Sequence, residues 1–588
     1  MGSNALGGIA CIKGTHHVCT ALPELYNLVQ DRLFCTIMSS YVKRYGRMIR
    51  EETVWATDHA ELTLADSGRP DLESKVNAVD ESSALKSGLN KYWSVVATGA
   101  GLFSDGYVNN SIGFAITLLK RLYGAEQMSK SSAMSNIAAI GFAGTVFGML
   151  TFGLLSDHIS RKLGLLVCVG MLIVFSILSS GSWGVGMPTN PQGMFGMLIT
   201  MRFMLGIGIG GEYPCGSVAC AEASQLMTRG TRNRWFVWFT NFMIDSGFVI
   251  SAFVAWLLLY ICNVSSDPEN KHGLQAAWRI LLGLGAISPL SLFYIRLKFQ
   301  ETDQFEKHNF KQAKTPWWLI IKYYFPRLIV VSIIWFLYDF LSYSWGIYSS
   351  QIISLVTTKE DASGNTISRA SDIRLTFGWT VLFNVFYLPG SFAGSFVADY
   401  LGPRLTLLIG AVLQGVVGLI MCSQYSSMLK TTGGFVVAYG VFTSLGEFGP
   451  GNNIGLIASK TCASGVRGRY YGLAAAVGKC GAFAGGYAFP AIAKRYGGAD
   501  GLDSEEGQKV LLYVSSALCI FSGLLALLLP RLTQGAVNDE DIKFRKYLEE
   551  NGYDTSAMGT QEYEGVGRTT GYSVDEVSET SKRYAYVN

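Results

Sequence analysis

"GLLSDHISRK", Gly153–Lys162, lies between two long apolar blocks. It places a glycine, then a carboxylate four residues on, then a basic pair. Gly153 lets two helix backbones approach closely. Asp157 is suited to accept from a helix N-terminus or from an arginine. Arg161 and Lys162 mark the turn as one held on the side of a membrane where Lys and Arg collect. A weaker copy, "SFVADYLGPR", Ser395–Arg404, has Ser395 in the glycine's place, followed by Asp399, Gly402 and Arg404. Two copies at corresponding places point to a duplicated helical architecture.

The composition agrees. The 588 residues are 49% hydrophobic and only 15% charged, against about 25% charged in an average soluble domain. The apolar residues fall into blocks of about 20 or more, the length that spans a bilayer. Twelve are predicted, near 92–118, 134–155, 163–183, 193–223, 235–262, 277–297, 326–354, 374–398, 404–423, 432–459, 469–493 and 509–530. Gly, Asn and ionisable residues interrupt several of them, as expected where helices face one another or a watery cavity. The fold class is therefore an all-α polytopic membrane protein.

Basic residues collect after the even-numbered helices: Arg161 and Lys162; Arg229, Arg232 and Arg234; Lys298, Lys307, Lys311 and Lys314; Arg404; Lys460, Arg467 and Arg469. By the positive-inside rule those connections, and both termini, are cytoplasmic. Lys120, Arg121 and Lys130 in the first outer loop run against this pattern, and the neutral loop 182–192 supports it. The expected organisation is a disordered N-terminal region (1–90), a six-helix bundle (91–298), a cytoplasmic linker (299–325), a second six-helix bundle (326–530) and a solvated cytoplasmic tail (531–588). The eleven cysteines show no paired spacing and read as small packing residues. "NVS", Asn263–Ser265, is a glycan acceptor pattern in an outer loop.

Ionisable residues deep in spans are functional candidates by default. Here they are Asp105, Arg202, Glu212, Asp245, Asp339, Glu447 and Lys479. Trp335, Asp339 and Tyr343 are spaced four apart and share one face of helix 7, a stripe suited to a polyhydroxylated anion. Lys479, in "AAAVGKCGAFAG", is a cation with space around it and suits an anionic ligand. Ten residues beyond Glu212, Glu222 lies about 15 Å lower. With Arg467 and Arg469 it reads as an inner gate whose ion pairs break and reform.

The Gly153–Lys162 stretch resembles the signature of the major facilitator superfamily, which implies twelve transmembrane helices in two six-helix bundles with a site between them. "GIGIGGEYP", the Trp335/Asp339/Tyr343 stripe and "GK" at Gly478–Lys479 resemble its phosphate:proton symporter branch. That resemblance implies that Tyr213, Trp335, Asp339, Tyr343 and Lys479 contact a phosphoryl group and that Asp105 and Glu212, with Asp339, carry coupling protons. The branch's helix-5 glutamine has no match, and Asn241 or Asp245 stands in that region. Its second helix-1 acid is Val108 here. "SDGYVNN", "RNRWFVWFTNFMIDSGF", "WFLYDFLSYSWGIYSS", "GEFGPGNNIGLIASKTCASGVRGRYYG" and "KYLEENGYDTSAMG" look like the fungal glycerophosphoinositol permeases of the plasma membrane.

The activity this implies is proton-coupled symport of glycerophosphodiesters, glycerophosphoinositol or glycerophosphocholine, by alternating access. Asn109, Asn241 and Asn452 would add hydroxyl partners for the larger head group. In the empty site Asp105 and Glu212 are expected to repel one another until a proton binds, with the partner of Arg202 left open. The runner-up is an inorganic phosphate:proton symporter, and a transporter-like nutrient sensor comes after it. An enzyme is not expected, since the spans hold no metal cluster, nucleophile motif or phosphate-cradling loop. The expected partners are a small anionic substrate, protons and the bilayer, with no nucleic acid and no cofactor besides the proton. Residues 1–90 do not match the family, which suggests a start further on, for example at Met48.

Overall fold

A computed structural model describes residues 92–559 apart from 131, 188, 265–269, 358, 361–365 and 368–372. The expected disorder of 1–90, Ser265 of the glycan pattern and the tail beyond 559 lie outside the described residues.

Long apolar sequences give long helices. They are α1 (Phe103–Tyr123, continuing a helix over 92–99), α2 (Ala133–His158), α3 (Arg161–Ser180), α4 (Gln192–Ser224), α5 (Arg232–Ile261) and α6 (Lys271–Leu297). After a short helix at Asp303–His308 come α7 (Trp317–Ile347), α8 (Ile373–Leu401) and α9 (Pro403–Ser423). Next are α10 (Thr432–Gly446, then Glu447–Gly451 and Asn452–Lys460), α11 (Arg467–Gly497) and α12 (Glu505–Leu528). A last helix, α13 (Ala536–Glu550), follows. Among the described residues, nine of these are long and apolar enough to cross a membrane. The remaining three of the twelve, α1, α10 and α11, carry Asp105, Glu447 and Lys479 and are correspondingly polar. Beyond the helices, the described residues include one two-stranded antiparallel ribbon, Lys359–Glu360 with Thr366–Ile367.

The distribution of side chains inverts that of a water-soluble protein. Phe147, Leu150 and Leu154 on α2 are 54%, 42% and 51% exposed, and Asp157, Arg202, Glu212 and Lys479 are buried. Apolar surface on that scale suits lipid and not water. Between helices the contacts rest on small residues. Gly206 of α4 lies against the Gly141 carbonyl of α2, and a Cβ at Gly153 would stand 3.0 Å from the Gly468 carbonyl of α11. The glycine of the opening motif thus brings together helices from the two sequence halves.

α4 and α10 both widen into a π-helical turn, at Tyr213–Ser217 and Glu447–Gly451. Each turn contains a proline, Pro214 or Pro450, which has no N–H to give to the helix ladder. Ser156 Oγ of α2 donates to the Pro214 carbonyl at 3.2 Å and ties the turn to that helix. Such turns are frequent at functional sites.

Two boundaries differ from expectation. α7 begins at Trp317, inside the stretch read as linker. The first part of the tail is not solvated: α13 buries Val537, Phe544 and Leu548, and Phe544 and Leu548 pack with Tyr324, Cys462 and Val466. Glu540 accepts from Arg327 at 2.8 Å. α13 is amphipathic, and its polar sequence hid an apolar stripe that packs on α7 and on the turn before α11.

Candidate functional site

A cavity lies where α4, α5, α7, α10 and α11 meet. Lys479 Nζ stands 3.3 Å from Asp339 and 3.8 Å from Asp105, 3.6 Å from the centre of the Tyr343 ring and 5.1 Å from that of Tyr213. Asp105 accepts from Tyr343 at 2.9 Å and also from the Tyr213 hydroxyl and the Asn109 amide. Asp339 Oδ2, though close to the ammonium, accepts no hydrogen bond. Trp335, Asp339 and Tyr343 line the cavity from one face of α7, as their spacing predicts, and Tyr213 and Lys479 join them. Asp105 and Asn109 are buried behind Tyr213 and do not line it.

A second cluster lines the same cavity. Tyr338 donates to Glu447 at 2.6 Å, and the Asn241 amide donates to Glu447 at 2.9 Å, to Asn452 at 3.0 Å and to Asp245 at 3.5 Å. Asn452 in turn donates to the Ser391 carbonyl at 2.8 Å. Asn241 and Asn452 are therefore in the cavity, as expected, and Asn109 serves Asp105 instead.

Glu212 is placed differently from the expectation that it faces Asp105 as an unpaired, repelling carboxylate. Arg296, in the last turn of α6, holds it at both oxygens, at 2.5 and 2.7 Å, and both side chains are buried. Glu212 does not line the cavity. A bidentate guanidinium already matches its charge. Nor does Arg202 pair with Asp105: its Nε donates to the Ile137 carbonyl at 2.9 Å, and its Nη1 is buried without a hydrogen-bond partner.

At the basic end of the helices the gating candidates form one layer. Glu222 accepts from Arg467 at 2.7 Å, from Thr302 at 2.5 Å and from Arg161. Arg467 also reaches Asp541 of α13 at 3.8 Å. Asp157 accepts from the backbone N–H groups of Gly468 and Arg469, both at 2.9 Å, with the Arg469 side chain 3.7 Å away. Asp399 accepts from the N–H groups of Asn233 and Arg234 at 3.0 and 3.3 Å and from the Arg234 side chain at 2.5 Å. Ser395 is no substitute for a close-packing glycine, because its hydroxyl accepts from Trp238 at 3.0 Å. Lys162 gives only its backbone N–H to Glu301, at 3.2 Å, and Arg404 donates to the Leu529 carbonyl at 2.7 Å. These two are therefore in the layer without bridging the halves through those bonds.

At the opposite end the sequence halves meet through neutral pairs, Asn110 with Asn384 at 3.2 Å, Thr117 with Ser350 at 3.1 Å and Tyr487 with Asn136 at 2.9 Å, and through Arg374, whose Nε donates to the Val264 carbonyl at 2.9 Å. Contacts at both ends leave the cavity about 50 Å³ of free space, room for a few waters. In this conformation Lys479 is held by its own carboxylates.

A family model described as "Sugar (and other) transporter" matches residues 93–317 and 303–531. The chain belongs to that family. A glycerophosphocholine permease of Candida albicans is 47% identical over 522 residues, 88% of this chain and 92% of that protein. A major glycerophosphoinositol permease of the same organism is 47% identical, over 85% of this chain and 90% of that one. Among solved structures, the major facilitator superfamily proton:xylose symporter XylE superposes with a TM-score of 0.59 at 15% identity, covering 76% of this chain and 98% of the other. The fold is thus that of the major facilitator superfamily, to which the helix count and the motif pair had pointed.

Within this sugar (and other) transporter frame, several residues carried no sequence signal for the roles they occupy. Arg296 ends a span, where a basic residue reads as a marker of the inner side. Tyr338 sits between two residues of the aromatic–acid stripe and faces a different partner from either. Asp541 lies in the tail read as solvated, and Thr302 in the stretch read as a cytoplasmic linker. Each becomes visible only when distant segments pack.

Proposed function

We propose that the protein is a proton-coupled symporter that imports glycerophosphodiesters across the plasma membrane by alternating access, with both termini in the cytoplasm. The observation that carries this reading is Lys479, the basic residue lining the cavity, held between Asp105 of one sequence half and Asp339 of the other. A phosphodiester carries one negative charge and must compete with those carboxylates for the ammonium. Protonating one carboxylate frees the cation and lowers the negative charge of the cavity, so proton and substrate each favour the other's binding, which is the condition for coupling. Asp339, with an oxygen that accepts no hydrogen bond, is the first carrier, and Asp105 is the second. Glu212, matched by Arg296, is assigned to structure. Tyr213, Trp335 and Tyr343 orient the phosphoryl group. The Glu222, Asp157 and Asp399 layer is the inner gate, and the contacts at the other end are the outer one.

The names of the relatives support the diester over inorganic phosphate, the second reading. Uptake of labelled glycerophosphocholine, glycerophosphoinositol and phosphate by cells expressing the protein, at acidic and neutral external pH, tests it. Acid-stimulated diester uptake lost in Lys479→Ala supports the assignment. Uptake of phosphate alone transfers it to the second reading, and uptake of neither leaves the sensor.

A further inference from the structure

The cavity holds more carboxyl groups than phosphoryl recognition uses. Lys479 is matched to Asp105 and Asp339. Asp245 of α5 and Glu447 of α10 line the same space, are 1% and 3% exposed, and have no Lys, Arg or His within 4.0 Å among the described residues. Glu447 is partly satisfied by Tyr338 and Asn241. Asp245 is less so: its Oδ1 is buried without a hydrogen-bond partner, and its Oδ2 has only the Asn241 amide at 3.5 Å among its hydrogen bonds. A buried carboxylate oxygen left unpaired costs several kcal/mol. That cost is recovered if a ligand brings the missing partner.

The surroundings specify what partner. Hydroxyl groups would satisfy lone pairs without compensating the charge that ionising either acid creates in a low-dielectric site. A cation would compensate that charge, a quaternary ammonium doing so by proximity and without an N–H to donate. Phe248 and Tyr338 line the cavity beside the two acids, and Phe248 and Tyr387 rings meet at 5.3 Å. Carboxylates together with aromatic faces are the setting that takes a quaternary ammonium. Tyr338 and Asp339 are neighbours on α7, one donating to Glu447 and the other holding Lys479. A ligand lying across α7 therefore meets a cationic pole and an anionic pole in turn.

From this geometry we propose that Asp245, Glu447 and Tyr338 form a head-group subsite selecting glycerophosphodiesters with a cationic head group, of the choline type, over those with a neutral polyol. The proposal rests on the transport reading above and assigns the other end of the same substrate. The phosphoryl group engages Lys479 while the ammonium replaces the absent base of Asp245 and Glu447.

The test is uptake of labelled glycerophosphocholine and glycerophosphoinositol by the full chain in cells, wild type against Asp245→Asn, Glu447→Gln and Tyr338→Leu, normalised to surface protein. The expected result is a wild-type preference for the choline diester. The ratio of choline-diester to inositol-diester kcat/KM falls at least tenfold in Asp245→Asn and in Glu447→Gln, through a higher KM. Tyr338→Phe, which keeps the ring, retains more of the preference than Tyr338→Leu. A wild type that carries the inositol diester in preference, or variants that lower both diesters equally, overturns the subsite and leaves the transport reading intact. Loss confined to the inositol diester makes the subsite a polyol site and also overturns the proposal. If neither diester is carried by the wild type, both readings fall together.

Discussion

Asp157 and Asp399 make the same contact in mirrored places. Each closes a helix of one sequence half and accepts two backbone N–H bonds from the first turn of a helix of the other half, Gly468 and Arg469 for Asp157, Asn233 and Arg234 for Asp399. The two copies of the opening motif are therefore a pair of cross-half clasps. A carboxylate at a helix N-terminus gains both from the bonds and from the helix dipole.

Bonds to a charged acceptor contribute about 1.5–3 kcal/mol each, and they are available only while the inner end is closed. Asp157→Asn and Asp399→Asn should each bias the protein toward the inward-open state and reduce the maximal uptake rate by about tenfold or more. Because the clasps are equivalent, the two substitutions should act alike. Rates measured at saturating substrate, with surface expression held equal, check this, and a normal rate in either variant removes that aspartate from the gate.

Lys479 bears on substrate and proton at once. Truncating one partner of a buried charge pair costs about 2–5 kcal/mol, and here two carboxylates lose their cation together. Lys479→Ala should abolish saturable uptake. Lys479→Arg should not restore it, because a planar guanidinium and a compact ammonium are not interchangeable at a seat 3.6 Å above the Tyr343 ring. Wild-type uptake by the arginine variant would show that charge alone suffices.

Much of this was readable in the chain. The spans, the motif pair and the four-residue stripe on α7 are periodic, so local spacing was enough to place Trp335, Asp339 and Tyr343 on one face. Lys479 stood out as a cation among alanines and glycines. The pairing of Glu212 was not readable, because its sequence neighbourhood matches Tyr213 and the cavity, whereas its partner Arg296 is 84 residues away in sequence. The docking of α13 was hidden by its charged composition, since Asp541 and Glu540 look solvated until Ser464 and Arg327 are found beside them.

α13 should matter to the gate for that reason. Asp541 accepts from the Ser464 N–H at 2.5 Å and from its hydroxyl at 2.8 Å, directly beside Arg467. Asp541→Ala should loosen the turn that precedes α11 and lower the maximal rate several-fold with little change in KM. A KM change without a rate change would place Asp541 outside the gate.

His308, in the short helix between α6 and α7, lies against the same layer. Burial lowers its pKa from the ordinary histidine value, Arg545 and Arg467 add to that, and Asp541 and Glu222 oppose it. A base with a lowered folded-state pKa is bound neutral, so the unfolded chain takes up the proton first. Stability is then lost as pH falls below the unfolded value of about 6.5. Thermal unfolding of the purified protein in detergent should show a midpoint that falls with acidification over that range, and His308→Gln should flatten the slope. An unchanged slope assigns the acid sensitivity to other groups.

Glu212 and Arg296 give the clearest separation of structure from coupling. Both are buried, and removing one charge of such a pair costs about 3–5 kcal/mol because the other is left uncompensated. Arg296→Met should express poorly, and Arg296→Met with Glu212→Gln should recover much of the loss, since no bare carboxylate remains. If Glu212 is structural, the double variant transports with its acid stimulation intact, while Asp339→Asn carries out pH-independent or no uptake. If the double variant reaches the surface and transports without any response to external pH, the coupling proton passes through Glu212 after all, and the assignment of Asp339 and Asp105 has to be withdrawn.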